Sequence, residues 1–354
     1  MKDQTLQELN DQFGTLPQSD SLINAPSVLR PIINLGDAVL DFEGLLGIDL
    51  PVREKILPWL PAGGLAMVAA ERGLGKTHFA LSLAGYLAGN KSFMKWPVSR
   101  PRNVLYVDGE MALSDIRQRL REFVNEKPKG NLQVLSHELF YAKYEKDLCI
   151  SDDTTQQAIL TLLNKCNIDL LILDNLSSLT NIREDKADDW RNHMLPFLIA
   201  CRRRGTAVLI VHHCGKGGEQ RGTGAREDHL DTSIKLIKSD DVTNTEGCRF
   251  QVVFTKSRGC YGKPVESFIA SLVKDNGSLA WELTSLEEST KDRLIQLIND
   301  AGDEGINVTQ ASQELGVTKG MVSRLKNELE SEGVIQFSRG KNPMKIAANW
   351  KRTK

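Results

Sequence analysis

The chain of 354 residues has no run of eighteen or more apolar residues, so no transmembrane helix is expected from it. Its first stretch, MKDQTLQELNDQFGTLPQSD, is polar and lacks the apolar core of a secretory signal. The six cysteines, Cys149, Cys166, Cys201, Cys214, Cys248 and Cys260, include no CxxC pair. That excludes a zinc ribbon or a dithiol redox centre as the organising feature. Scattered thiols of this kind predict a reduced, cytoplasmic protein without a disulfide framework. Charge of one sign is lacking too: 45 Lys and Arg stand against 46 Asp and Glu, a net charge of −1. Any surface for nucleic acid must therefore be local. There is no internal repeat and no low-complexity tract.

What is there is an ordinary globular balance, 40% hydrophobic and 26% charged, in a chain long enough for one large domain and a smaller module. Residues 1–30 are polar, carry Pro17 and Pro26, and read as a flexible arm with one short helix over Leu6–Phe13. From Leu57 the chain changes character. Leu65–Ala69, the VLYVDGE stretch after Asn103, LLILD at 170–174 and residues 207–211 are short apolar runs that read as strands. HFALSLAGYLAG, Thr155–Cys166 and Trp190–Arg203 lie between them and read as helices. Buried strands alternating with helices predict an α/β fold, a mainly parallel twisted sheet covered on both faces. Phe250–Lys256 and Ser267–Val273 read as later strands at the sheet edge.

Near Glu287 the pattern changes again, to helices over Lys291–Asp300, Val308–Leu315 and Thr318–Glu332. Gly316 turns the chain between the second and third, Thr318 caps the third, and Gly333 ends it. The following VIQFSRGKNPMKIAANW alternates like a hairpin around Gly340. Three helices and a hairpin predict a small winged helix-turn-helix domain over 286–354. Ala311, Leu315, Val317, Val322, Leu325 and Leu329 supply its apolar face. Lys319, Ser323, Arg324 and Lys326 lie on the other face of the third helix, and Arg339, Lys341 and Lys345 on the wing. From Lys319 to Lys354 nine basic residues face three acidic ones, a local charge of +6. Such a surface predicts phosphate contact with DNA through Lys319, Arg324, Lys326, Arg339 and Lys341. Protein docking is the other use of the same fold.

The most specific signal is Ala70-Glu71-Arg72-Gly73-Leu74-Gly75-Lys76-Thr77, set between a predicted strand and a predicted helix. A phosphate loop needs glycines so that successive N–H groups can wrap an anion without Cβ obstruction. Here Gly73, Leu74 and Gly75 form that loop, and the helix opening at Lys76 adds its dipole, with His78 in its first turn. Lys76 reaches the β- and γ-phosphates, and the Thr77 hydroxyl ligates Mg²⁺. Alanine replaces the usual first glycine at position 70, a departure of one methyl. Asp174 ends an apolar strand about a hundred residues downstream and is the second acidic element, holding Mg²⁺ through water. Glu110, at the end of VLYVDGE, is the candidate for activating the attacking water, with Asp108 as competitor. His212 and His213 follow another apolar strand and are candidates for sensing the γ-phosphate, or are a solvated pair. His229 and Cys214 complete no zinc pattern with them.

Together, PAGGLAMVAAERGLGKT, VLYVDGEM, LLILDNLSSL, VLIVHHCGKG and FTKSRG, in this order, resemble RecA-superfamily ATPases of the RepA type. These are hexameric plasmid replicative helicases and similar ATPases carried on mobile elements. The resemblance runs from about Leu57 to Arg258 and implies a RecA-like ATPase domain over 31–285. It implies ATP and Mg²⁺ as ligands, with Lys76 and Thr77 in the phosphate loop, Glu110 as catalytic glutamate and Asp174 as the Walker B aspartate. The histidines His212 and His213 match the γ-phosphate sensors. In such rings an arginine from the neighbouring copy completes the site. Lys256 and Arg258 match the K-x-R element that does so, and Arg221 in QRGTG fits a similar arginine. The glycine-rich stretch from Cys214 to Asp231 corresponds to a loop lining a central channel. There Lys216, Arg221 and Arg226 would meet single-stranded DNA, or the loop would close over nucleotide. The implied protein is a DNA-dependent ATPase, a homo-oligomer with a hexamer favoured. It would be a replicative helicase or helicase-like motor of a plasmid, phage or integrated element, touching duplex DNA at the winged helix and no membrane. The alternatives are an ATP-controlled DNA-binding assembly or loading switch, and a regulator without unwinding activity.

Overall fold

The computed structural model describes residues 34–183, 186–214, 225–238, 248–275, 277–336 and 343–347. The chain divides into two units, Met1–Val52 and Arg53–Lys354. In the first unit Asn34 caps a 3₁₀ turn, Leu35–Ala38. Asp41 caps a short helix, α1 (Phe42–Gly47), by accepting from the Gly44 N–H at 2.7 Å. The predicted helix over Leu6–Phe13 lies outside the described residues.

The second unit begins with two short antiparallel strands, β1 (Lys55–Leu57) and β2 (Leu60–Pro61). The central sheet starts at β3 (Leu65–Ala70) and continues, in chain order, with α2 (Lys76–Gly89), β4 (Val104–Asp108), α3 (Leu113–Phe123) and β5 (Leu132–Ser136). Then follow α4 (His137–Tyr144), α5 (Asp153–Lys165), β6 (Leu170–Asp174), α6 (Leu176–Leu179), α7 (Ala187–Asp189), α8 (Leu195–Arg203) and β7 (Ala207–His213). After α9 (Ala225–Asp228), the strands β8 (Thr232–Lys238), β9 (Arg249–Ser257), β10 (Phe268–Asp275) and β11 (Ser278–Ser285) complete it. The nine strands are ordered β11-β10-β9-β8-β3-β7-β6-β4-β5. From β8 to β5 all neighbours are parallel; β9, β10 and β11 add an antiparallel edge.

β3, β4 and β6 are buried along their whole length, which is why they read as continuous apolar runs rather than alternating ones. Period-two alternation splits their side chains between two cores. Ala66, Val68, Val104, Tyr106, Leu170, Ile172, Leu209 and Val211 pack on one face with Phe79, Leu83 and Leu87 of α2. Leu65, Met67, Leu105, Val107, Leu171, Leu173, Val208 and Ile210 pack on the other with Ile159 and Leu163 of α5 and Phe197 and Leu198 of α8. Phe79 meets Phe93 edge-on at 5.0 Å, and its truncation to alanine would cost about 3–5 kcal/mol.

The sheet differs from the sequence expectation in three strands not anticipated, β5, β8 and β11. β8 (TSIKLIK) places lysines within its alternation, so it reads as polar although it pairs directly with β3. The helix expected over Trp190–Arg203 is interrupted: residues Trp190–Met194 form a π turn before α8 starts, with Pro196 in its first turn. Proline has no N–H to donate, so a regular helix cannot run through it unchanged.

Beyond β11 come α10 (Leu286–Asp300), α11 (Val308–Leu315) and α12 (Lys319–Ser331). A capping box on Ser285 opens α10, Gly316 with φ 66° closes α11, and Thr318 caps α12. Leu294, Ile298, Ala311, Leu315, Val322, Leu325 and Leu329 form a third core, joined by Ile335 and Met344. Isolated bridges pair Ile306 with Met344 and Ile335 with Ile346. The tip of the expected hairpin, with Gly340, lies outside the described residues. No helix among the described residues is long and apolar enough to cross a membrane.

Candidate nucleotide site

Strand parity decides which polar residues meet. Asp108 and Asp174 lie two residues beyond Tyr106 and Ile172, and His213 two beyond Val211, so all three share the face that α2 covers. They sit at the C-terminal ends of parallel strands, where helix N-termini and loops leave a crevice in such sheets. A cleft of about 570 Å³ opens there, lined by Arg72, Gly73, Gly75, Lys76, Thr77, His78, Asp108, Glu110, Met111, Ala112, Asp115, Arg119, Asp174, Asn175 and His213. That volume lies within the range of small-ligand pockets.

The loop between β3 and α2 turns through Gly73 with φ 78° and Gly75 with φ 102°. Both values lie in the left-handed region that other residues resist. At Gly75 space is also lacking: a Cβ there would sit 2.1 Å from Cys248 Sγ. Gly73 faces open space, so its backbone is accessible from the cleft. Ala70 is the last residue of β3, in extended backbone, which explains why alanine serves at the usual glycine position. The Leu74 side chain packs against the core, so this residue can offer a ligand only its backbone. Lys76, 5% exposed, donates from Nζ to the carbonyls of Ala70 at 2.9 Å and Glu71 at 2.6 Å. Burial pulls its pKa down, and the nearby Asp174, Cys214 and Glu110 oppose that shift.

Asp174 is buried, and burial raises its pKa against the hydrogen bonds from Tyr106 and Thr77 and the Lys76 charge. The Tyr106 hydroxyl donates to its Oδ2 at 2.5 Å. Asp108 is equally buried but otherwise engaged. Its Oδ2 accepts from the Glu110 N–H at 3.3 Å and the Met111 N–H at 3.0 Å, and lies 3.2 Å from His137 Nδ1. β4 ends at Asp108, so Glu110 stands on the turn just beyond it and is exposed to the cleft. Asp108 holds that turn; Glu110 is free to meet a ligand's reacting end. Its Oε2 accepts from Asn175 Nδ2 at 2.5 Å.

The two adjacent histidines separate. His213 lines the cleft, and its Nδ1 has no hydrogen-bond partner among the described residues. Burial, with Lys76 nearby, lowers its pKa to about 4, so at neutral pH it is an uncharged donor and acceptor. His78 is likewise held at about 4, by burial and by Arg119. His212 is a correction to the sequence reading. Alternation turns it to the opposite face, where it is buried with Nε2 3.3 Å from Arg226 Nη1, away from the cleft.

Arg226 is a second correction. Expected at a DNA surface, it is 4% exposed, with its guanidinium 5.7 Å from the Trp190 ring centre. A cation stacked on an aromatic face and bonded to a buried histidine is a core element. The Lys326 side chain, 14% exposed, pairs with Glu330 at 3.6 Å. Arg324 is exposed and pairs with Glu287 of α10 at 3.0 Å, and Lys319 is exposed. Lys216, Arg221, Arg339 and Lys341 lie outside the described residues.

Lys256 and Arg258 are placed at the far end of the sheet. Ser257 pairs with Thr232, which pairs with Ala66 near the start of β3, whereas the phosphate loop leaves the end of β3. Lys256 Nζ donates to the Glu227 carbonyl and to that of Asp228 at 3.4 Å; Arg258 Nη2 donates to Asp228 at 2.9 Å. Both cations thus cap the C-terminal end of α9, and Arg258 is exposed. Neither reaches the phosphate loop of its own chain.

Sequence reasoning missed Arg72, Asp115, Arg119 and Asn175 as cleft residues. Asp115 and Arg119 are four apart on α3, a spacing that shares a helix face but leaves open which face meets the cleft. The residues fit a magnesium nucleotide. Glycines with φ above zero and the cations Arg72, Lys76 and Arg119 suit a triphosphate. The hydrogen-bonded Thr77 hydroxyl and Asp174 carboxylate are the hard oxygen donors that Mg²⁺ takes from protein.

No curated protein matches the chain. Among solved structures, a KaiC-like protein from Pyrococcus horikoshii OT3 is 14% identical, covering 65% of this chain and 98% of its own at a TM-score of 0.46. The flagellar accessory protein FlaH from Methanocaldococcus jannaschii is 16% identical, covering 63% of this chain and 91% of its own at a TM-score of 0.43. The profile of a family described as an AAA domain matches residues 30–219, more than half of the chain, including the phosphate loop, Glu110, Asp174 and His213. The chain therefore belongs to the AAA_25 family of AAA-domain P-loop ATPases.

Proposed function

We propose that this protein is a DNA-dependent ATPase that works as a ring of identical subunits, of the RepA type, moving along or unwinding DNA for a plasmid, phage or integrated element. One observation carries the reading. The sheet presents a nucleotide site at one end and the half-buried Lys256 and exposed Arg258 at the other, out of reach of that site in the same chain. A head-to-tail neighbour, as in a ring, brings the second end against the first.

In this reading Lys76 exchanges the carbonyls of Ala70 and Glu71 for phosphate oxygens, and the loop N–H groups with the α2 dipole hold the anion. Thr77 and, through water, Asp174 would hold Mg²⁺, which would supply positive charge against the phosphates. Glu110 takes the proton of the attacking water, and neutral His213 hydrogen-bonds the terminal phosphate. Arg258 and Lys256 of the neighbour stabilise charge developing in the transition state. Lys319 and Arg324, on the exposed side of α12, support duplex DNA contact by a winged helix over 286–354. The Arg324–Glu287 pair is exposed and weak enough to yield to a phosphate.

The test is steady-state ATP hydrolysis with and without single-stranded and duplex DNA, with particle size followed by light scattering in the same samples. DNA stimulation on a ring-sized particle is expected. Turnover indifferent to DNA, on a monomer, would sink the ring motor and favour an ATP-controlled assembly or loading switch.

A further inference from the structure

Asn175 follows the strand-terminal aspartate, and no motif read from the sequence gives it a task. It is 4% exposed, and both faces of its amide are committed. Oδ1 accepts from the Ser178 N–H at 3.1 Å and the Ser178 hydroxyl at 2.8 Å. That pair of donors fixes which end of the amide is oxygen, so the nitrogen points the other way, to Glu110 Oε2 at 2.5 Å. The segments carrying the two residues are locked together. Gly109 N–H donates to the Asp174 carbonyl at 2.9 Å, and a Cβ on Gly109 would come within 2.8 Å of Leu179 and 3.1 Å of Ser178. The turn after β4 and the start of α6 therefore hold one relative position, and the Asn175 amide is the contact between their side chains that ends on the Glu110 carboxylate.

We infer that Asn175 is a positioning residue for Glu110: it anchors one carboxylate oxygen so that the other is presented to the attacking water. The inference rests on Glu110 acting as the base in ATP hydrolysis. In that step the water oxygen bonds to the terminal phosphorus as its proton passes to Oε1. The bond from phosphorus to the bridging oxygen breaks, and ADP leaves with that electron pair. A donor on Oε2 limits the rotation of Glu110, which matters because proton transfer needs a well-aimed acceptor. Asn175 itself touches no reacting atom.

Asn175→Asp is the discriminating variant. It is isosteric and still accepts from Ser178, so the cap of α6 survives, but it puts a carboxylate where the donor was. The new carboxylate repels Glu110 where the amide held it, so the base loses its aim while the groups that hold the nucleotide stay in place. The effect should fall on kcat, with KM for ATP little changed. At pH 7 kcat should fall about 10- to 100-fold. Asn175→Ala, which has no charge, should lower kcat by a similar factor, again with KM little changed. Thermal unfolding and binding of a fluorescent ATP analogue, measured on the same samples, confine the comparison to folded, nucleotide-binding protein. A kcat in Asn175→Asp indistinguishable from the parent would overturn the inference. Glu110→Gln is assayed alongside: if it turns over normally, the base assignment has failed, and the positioning role fails with it. If Glu110→Gln is inactive and Asn175→Asp is unchanged, only the positioning role fails.

Discussion

At the C-terminal ends of β3, β4 and β6, charged side chains are buried and tied to groups of their own chain. Lys76 is held by loop carbonyls, Asp174 by Tyr106 and Thr77, Asp108 by two backbone N–H groups and His137. At the opposite end Lys256 and Arg258 rest on the last carbonyls of α9, with Arg258 exposed. The first arrangement needs nothing but its own chain to define its geometry. The second holds Arg258 by a contact at the surface, which in the proposed ring leaves it available to a neighbour. A buried polar group must have its partners, so burial fixes position; an exposed one takes its position from whatever binds it.

The comparison can be broken in graded ways. Lys76→Ala removes the buried cation and should weaken ATP binding by on the order of 100-fold or more, measured by titration with a fluorescent analogue. Near-normal affinity would mean that the cleft is not the phosphate site. Glu110→Gln should bind ATP as before while turnover falls by on the order of 1000-fold; phosphate release in a coupled assay reads this directly. Arg258→Ala acts from the other end. It should leave ATP binding by the isolated subunit unchanged and lower turnover of the assembly by on the order of 100-fold or more. Equal loss of binding and turnover would remove the distinction between the two ends.

The smallest expected effect is on stability against pH. His78 and His213 are both held at about 4, below the ordinary 6.5 of histidine. The unfolded chain therefore takes up these protons first as pH falls, so stability drops between about pH 6.5 and 4 and levels below that. His213→Gln and His78→Gln should each flatten the fall in Tm over this window by about a few degrees. Carboxylates protonate toward the lower end of the same window, so the paired comparison with the parent, and not the absolute slope, is the readout.

Much of the nucleotide site was legible because its parts are local. A glycine loop between strand and helix, an aspartate closing an apolar run and a glutamate just past another each depend on a few adjacent residues. Strand alternation carried the separation of His212 from His213, a signal present in the sequence at Val211 and applicable once the strand was known to run to His213. Arg226 was misread because an arginine in a glycine- and charge-rich stretch looks solvated; its seat on Trp190 and His212 comes from segments far apart in sequence. The pairing of Lys326 with Glu330 was equally out of view, since a helix gives its apolar stripe but not which flanking side chains meet. Arg119 and Asp115 were missed because α3 can be placed against the cleft only after packing is known.

The most direct measurement of the central claim, that each site is completed by a second copy, is subunit mixing. Lys76→Ala and Arg258→Ala proteins, each inactive alone, are combined over a range of ratios and assayed for ATP hydrolysis. Activity should return on mixing, largest near equal proportions, because a phosphate loop from the Arg258→Ala subunit then meets Arg258 of a Lys76→Ala neighbour. No recovery at any ratio, in mixtures that scatter light as mixed assemblies, would contradict a shared site.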